Sequence, residues 1–205
     1  MPALFGLIYW KKVKDNILLK WFVILLWYTA LNEHVASYYG NYISEEKNNI
    51  LFYTVKGLLS YIFYFILFLT ALKRRASKIV ISVLFGTYLM VSVIEFTQTN
   101  ILLEDQTFSE YTGSVLLIIA ILYYFVELIV YQGIVNLKEN ILVYISSGLL
   151  LFEVGMIPIG IARTIFLDQR GPFWQPLTIY QGIIILLMNL LFTAGFIWGR
   201  KKSEI

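Results

Sequence analysis

The stretch Lys73-Arg74-Arg75-Ala76-Ser77-Lys78 places four cations within six residues, between two long apolar segments. Lys and Arg beside membrane spans stay preferentially on the cytoplasmic side of the membrane. The stretch is therefore predicted to be a cytoplasmic loop, and it fixes the direction of the two helices that flank it. By alternation, it fixes the direction of every other span.

The composition of the 205 residues indicates a membrane protein. Apolar residues make up 59% of the chain and charged residues 14%, against roughly 25% charged residues in a soluble domain. The apolar residues fall in runs of about 20, long enough to cross a hydrocarbon core about 30 Å thick. The net charge of +3 is divided among loops and chain ends, which favours lipid headgroups as partners and argues against nucleic acid. The chain has no cysteine, which excludes disulfides and thiol chemistry.

An all-α bundle of six transmembrane helices is the predicted fold class. We expect residues 17–199 to form this domain, residues 1–16 an interfacial segment and residues 200–205 a cytoplasmic tail. The first segment is called interfacial because its apolar residues precede its lysines, whereas a secretory signal has its cations first. The predicted spans are residues 17–35, 50–72, 79–99, 111–132, 140–158 and 177–198.

Both termini are predicted to be cytoplasmic. In this orientation most cations lie inside, including the basic stretch, Lys138 and the cluster Arg200-Lys201-Lys202. The segments 37–49 and 100–110, which are richer in carboxylates, then become outer loops, as does the segment 160–176.

Four ionisable groups come out at a similar depth in the outer third of the bilayer when depth is counted at 1.5 Å per residue: Glu33, His34, Lys56 and Glu95. We predict that Lys56 neutralises one or both carboxylates, and that His34 titrates near neutral pH or binds an anion. The group is either a pocket for a proton, an ion or a small solute, or a set of wet interfacial side chains.

Glu153 is predicted to lie deeper, about 20 Å along the fifth span and beyond the midplane. A charge there costs at least about 2.5 kcal/mol, so it needs a partner or a proton. The candidate partners are Arg163, Gln181 and Asn189. Glu153 is either a proton-coupled or ligand-binding group or a protonated carboxyl that bonds two helices together.

Glu127 is placed nearer the inner face, within reach of Gln132 or Lys138. It carries the same two interpretations as Glu153. Two backbone features follow in the sequence: a predicted break of the fifth span at Pro158, and a close-contact face at Gly195-x-x-x-Gly199 that suits a neighbouring helix or a second copy of the chain.

Absent motifs narrow the chemistry. The sequence has one histidine, and it lacks both the two-histidine spacing of zinc helices and a glycine-rich phosphate loop. No metal and no cofactor are expected. A lipid-modifying enzyme that uses Glu33, His34 and Glu95 stays open.

Three segments of the second half are distinctive: Tyr123-Tyr124-Phe125-Val126-Glu127-Leu128, Asn136-Leu137-Lys138-Glu139-Asn140 and Ile145-Ser146-Ser147-Gly148-Leu149-Leu150-Leu151-Phe152. In these segments the chain resembles a group of small polytopic bacterial membrane proteins that we associate with genes for sensor histidine kinases. The resemblance implies a membrane module of six or seven helices in the bacterial cytoplasmic membrane, working beside a signalling partner. It carries over no functional residues.

Three functions of different class follow from these observations. The first is a non-enzymatic module that senses a ligand or the state of the envelope and signals to a membrane protein partner. The second is a channel or small transporter that uses intramembrane carboxylates. The third is a membrane enzyme that acts on lipid.

Overall fold

The computed structural model describes residues 2–44, 48–101, 106–131, 139–165 and 174–199, and within these ranges the structure is helical and has no β-strand. Two short helices open the described chain, α1 (Pro2–Ile8) and α2 (Trp10–Val13). Six long helices follow in the same ranges, and a π-helical turn at Tyr39–Ile43 extends the first of them. Their bounds are α3 (Ile17–Tyr38), α4 (Ile50–Ala71), α5 (Arg75–Gln98), α6 (Thr107–Tyr131), α7 (Ile141–Ile165) and α8 (Trp174–Trp198).

Five of the described helices, α4 to α8, are long and apolar enough to cross a membrane, which indicates a multi-pass membrane protein. The helix α3 has the length of a span, with 22 residues, but Lys20 and the run Asn32-Glu33-His34 lower its hydropathy. Its start is well defined, because the side chain of Asn16 accepts the backbone N–H groups of Leu18 and Leu19.

Several predicted boundaries are wrong, and three of them concern the basic stretch, Pro158 and the last outer loop. The helix α5 begins at Arg75, so four of the six residues predicted as a loop are helical. The predicted break at Pro158 does not occur, because α7 continues through it to Ile165; transmembrane helices tolerate proline where the freed backbone groups find other partners. The predicted outer loop at 160–176 is shorter at both ends, since α8 begins at Trp174. Most of the predicted inner turn at 133–139 lies outside the described residues.

The chain packs as two units, one of which is Val13–Glu127. In this unit α3 and α4 run antiparallel. The rings of Phe22 and Phe63 stack at one end, with centroids 6.2 Å apart, and Asn32 Nδ2 donates to the carbonyl oxygen of Phe52 at 3.2 Å at the other. The contact therefore follows much of the length of both helices.

Aromatic rings fill the space among α4, α5 and α6 in the same unit. The centroids of Phe65 and Phe85 lie 5.4 Å apart, and those of Tyr61 and Tyr88 lie 5.2 Å apart. Gly113 of α6 leaves room for two of these rings, since a Cβ there would lie 2.9 Å from Tyr88 Cε2 and 3.1 Å from Tyr61 Cζ. The small residue lets α6 approach α4 and α5 closely.

The other unit comprises Met1–Lys12 and Leu128–Ile205, and α7 and α8 form an antiparallel hairpin within it. Glycines make the hairpin tight: a Cβ on Gly148 would lie 2.7 Å from Phe192 Cε1, and one on Gly195 would lie 2.9 Å from Tyr144 Cβ. Gly199 also faces α7. The predicted close-contact face of Gly195 and Gly199 is thus used within the chain.

Candidate functional site

An ionic cluster of Glu33, Tyr53 and Lys56 joins α3 to α4. The Tyr53 hydroxyl donates to Glu33 Oε1 at 2.9 Å, and Lys56 Nζ lies 3.6 Å from Glu33 Oε2. The same Nζ is 4.5 Å from the centroid of the Tyr53 ring, a cation–π distance. In these three residues, called the α3–α4 cluster, the Glu33 carboxylate is held by a hydrogen bond from Tyr53 and an ion pair with Lys56.

The α3–α4 cluster is accessible. The Glu33 side chain is 58% exposed and that of Lys56 is 25% exposed. An ion pair this open contributes about 0–1 kcal/mol to stability, so its oriented charges remain available to a ligand. The structure thus brings together Glu33 and Lys56, two of the four groups that the sequence placed at one depth. Tyr53 was not predicted; its signal is its position three residues before Lys56, on the same helix face.

The other two groups of the predicted set have different surroundings. His34 is exposed and has no hydrogen bond or ion pair among the described residues. Glu95 is buried, and its carboxylate accepts two backbone N–H groups, that of Phe108 at 2.9 Å and that of Ser109 at 2.7 Å. Lys56 therefore pairs with one of the two carboxylates, Glu33, while the N-terminus of α6 supplies the donors to Glu95.

Glu127 makes a similar contact with the residues that immediately precede α5. It is 2% exposed, and its Oε1 accepts the backbone N–H of Lys73 at 2.6 Å and that of Arg74 at 3.2 Å. Its Oε2 is buried and has no hydrogen-bond partner among the described residues. Its predicted partners, Gln132 and Lys138, lie outside the described part of the chain.

The contacts of Glu95 and Glu127 give both residues a structural role. The first backbone N–H groups of a helix have no carbonyl partner within it, and a carboxylate both binds them and faces the positive end of the helix dipole. Sequence reasoning missed this role because the partners are backbone atoms. The sequence does contain one signal of this role, the position of each glutamate in its helix. Each lies in or next to the last turn of its own helix, where that helix's dipole disfavours a negative charge.

The polar residues of α7 and α8 have separate roles. Arg163 Nη2 donates to Gln181 Oε1, and the guanidinium carbon lies 5.6 Å from the centroid of the Trp174 ring. Of the partners predicted for Glu153, Gln181 therefore binds Arg163. Glu153 itself is 3% exposed and has a partner within the structure. Asn189 is half-buried on α8.

Lys12 makes a contact with the end of α8 that the sequence did not predict. Its Nζ donates to three carbonyl oxygens at the end of α8, those of Phe196 at 3.2 Å, Ile197 at 2.7 Å and Gly199 at 3.0 Å. The ammonium also lies 4.8 Å from the centroid of the Tyr9 ring. The N-terminal segment thus caps the last long helix, whose C-terminal carbonyls have no partners within the helix.

The described residues contain no group of three His, Cys, Asp or Glu side chains that could hold a metal ion. Comparisons with protein-family models, with curated proteins and with solved structures find no match to this chain. The resemblance of its second half to bacterial membrane proteins linked to sensor kinases therefore stays a prediction.

Proposed function

We propose that the chain is a six-span, non-enzymatic module of the bacterial cytoplasmic membrane that senses a ligand or the state of the envelope and signals to a partner membrane protein. The observation that carries the proposal is a difference among its carboxylates in exposure and in hydrogen-bond partners. Glu95 and Glu127 are buried and occupied by backbone amides, whereas Glu33 is exposed and oriented by Tyr53 and Lys56. An exposed carboxylate beside an ammonium is suited to recognise a charged ligand.

The packing of α3 supports a sixth span. Between Phe22, stacked on Phe63, and Asn32, bonded to Phe52, α3 follows α4 for roughly ten residues or 15 Å. With 22 residues its full length is about 33 Å, enough to cross the hydrocarbon core. An antiparallel neighbour of a membrane-spanning helix, equal to it in length, is expected to occupy the same layer.

The contact of Lys12 with α8 also supports six spans. It brings the segment before the first long helix to the C-terminal end of the last one. Two points of a chain that meet on one side of a membrane are separated by an even number of crossings, which favours six over five. The cations of the N-terminal segment and of the basic stretch favour the cytoplasm for that side.

Single-cysteine variants test this topology without background labelling, because the chain has no cysteine. Three exposed positions serve: Lys14 before α3, Tyr42 after it and Ala76 in the basic stretch. In intact cells an impermeant maleimide should label Tyr42→Cys, and should label Lys14→Cys and Ala76→Cys only after permeabilisation. Labelling of Lys14→Cys and Tyr42→Cys from the same side would contradict a crossing by α3.

The sensing function is tested by partner capture and by solute flux with the same variants. Glu33→Gln removes the charge of the α3–α4 cluster and keeps its shape, and Gln98→Ala, at an exposed position on α5, is the control. After crosslinking in cells, the amount of a specific membrane protein partner captured should change with Glu33→Gln and not with Gln98→Ala. Proteoliposomes of the wild-type chain should show no flux, and turnover of a lipid that His34→Ala abolishes would instead indicate an enzyme.

One observation favours transport as the second candidate. Glu153 is 3% exposed in the middle of α7, five residues before Pro158, and buried carboxylates of this kind mark proton and ion paths in transporters. Transport predicts a flux through proteoliposomes that Glu153→Gln abolishes and Glu33→Gln preserves. The sensing module predicts no flux in any of these proteins.

A further inference from the structure

We infer that the basic stretch Lys73–Lys78 binds the headgroup of an anionic phospholipid. All four of its cations are exposed. The stretch begins just after the end of α4 at Ala71 and includes the first turn of α5. Both helices are long and apolar enough to cross a membrane, so the cations lie at the level of the lipid headgroups. This inference does not depend on the sensing function.

The buried carboxylate beside the stretch leaves the side chains of Lys73, Arg75 and Lys78 available. Glu127 Oε1 accepts the backbone N–H groups of Lys73 and Arg74, and this contact fixes the path of the backbone. In the described part of the chain no ion pair engages Lys73, Arg75 or Lys78. A lipid that binds here therefore meets charged side chains on a backbone that is already ordered, which reduces the entropic cost of binding.

The spacing of the cations suits a phosphate group. Arg75 and Lys78 are three residues apart in the first turn of α5, so they lie on one face, with about 5–6 Å between their Cβ atoms. The backbone N–H of Lys78 donates to the Arg74 carbonyl at 3.0 Å, which places Arg74 directly before this turn. A guanidinium binds two phosphate oxygens at once and an ammonium adds a point charge.

Charge and position together favour a lipid over other anions. The stretch has only six residues, and four of them already belong to α5. It is too short to form a surface for nucleic acid or an acidic protein, and it lies at the depth of the phosphate layer of the leaflet. Zwitterionic headgroups carry an ammonium group that the cations would repel. Each Lys or Arg beside an anionic leaflet strengthens binding about fivefold.

The test uses the full-length chain in neutral detergent with added phosphatidylglycerol, and native mass spectrometry as the measure of bound lipid. The variant K73Q/R75Q/K78Q removes three cations, and the matched control K73R/R75K/K78R keeps every charge in place. We expect the wild type and the control to retain phosphatidylglycerol, and the triple variant to bind it about a hundredfold more weakly. The single variant R75Q should lose about fivefold, and it serves if the triple variant does not yield folded protein.

Two further arms identify the ligand. Phosphatidylcholine should be retained weakly and equally by all variants, and inorganic phosphate at the same concentration should not displace phosphatidylglycerol. Equal binding of phosphatidylglycerol to the wild type, R75Q and the triple variant would overturn the site. Displacement by inorganic phosphate would assign the stretch to a free anion and overturn the lipid as its occupant.

Discussion

Glu95 and Glu127 cap each other's helices. Glu95, near the end of α5, binds the first amides of α6, with Oε2 at 2.7 Å from the nitrogen of Ser109, and Glu127, near the end of α6, binds the amides that precede α5, with Oε1 at 2.6 Å from the nitrogen of Lys73. Two antiparallel helices are thus tied at both ends. Each carboxylate faces the positive end of a helix dipole, which compensates part of the cost of burying its charge.

Replacing Glu95 by alanine should destabilise the protein by about 1–3 kcal/mol, because two buried N–H groups lose their acceptor. The midpoint of thermal unfolding in detergent should fall by about 2–4 °C for each kcal/mol. Glu95→Gln should lose less, since its amide oxygen still accepts one N–H group. Gln98→Ala, at an exposed position three residues further along α5, is the control, and equal midpoints for Glu95→Ala and Gln98→Ala would refute the cap.

Glu127 should control local order at the start of α5. Without its carboxylate the N–H groups of Lys73 and Arg74 lose the acceptor that they have in the wild type, so their hydrogen exchange should accelerate in Glu127→Ala. Exchange at Phe108 and Ser109, whose acceptor is Glu95, provides the internal reference and should stay slow. Hydrogen–deuterium exchange by mass spectrometry measures both regions in one sample; unchanged protection at Lys73 would show that the contact is not a cap.

The sequence predicted most of the long helices, which depend on the length of apolar runs. It predicted few of the contacts made at helix ends. The cores of all six predicted spans lie within helices α3 to α8, because runs of apolar residues specify a helix in lipid. Counting residues along antiparallel helices also brought Glu33 and Lys56 to one depth, and they pair. The same counting did not predict the partners of Glu95, since a residue count contains no information about the free amides of the next helix.

The position of Lys12 could not be predicted for the same reason. Its partners are carbonyl oxygens nearly the whole length of the chain away, and only the folded structure shows that these carbonyls are unpaired and within reach. The sequence indicated merely that cations follow a short apolar segment. Contacts between a side chain and a distant helix end are thus the part of this protein for which a residue pattern has no signal.

Removing the ammonium of Lys12 should release the N-terminal segment from α8. Lys12→Met keeps the unbranched stem of the side chain and loses three hydrogen bonds to the end of α8, together with a favourable interaction with its dipole of about 0.3–1 kcal/mol. Chymotrypsin should then cut faster at Tyr9 and Trp10. Lys11→Met, a neighbouring exposed position of equal charge, is the control. Equal cleavage rates in the two variants would contradict the capping role.

Gly148 of the α7–α8 hairpin and Gly57 of α4 should respond differently to substitution by alanine, because only Gly148 faces a close neighbour. Gly148→Ala places a Cβ 2.7 Å from Phe192 Cε1, whereas a Cβ at Gly57 of α4 would meet nothing within 4 Å. We expect Gly148→Ala to cost about 1–3 kcal/mol through overpacking. Gly57→Ala should be neutral or stabilise the protein by up to about 1 kcal/mol, because alanine favours a helix.

Thermal unfolding in detergent compares these two glycine variants, and a second-site change identifies the cause. Phe192→Leu removes the ring that Gly148 faces, so the double variant Gly148→Ala/Phe192→Leu should lose less than the sum of the two single changes. Additive losses would mean that the ring is not what restricts position 148. A loss at Gly57→Ala as large as that at Gly148→Ala would mean that the cost comes from replacing any glycine in a membrane helix, and not from the contact between α7 and α8.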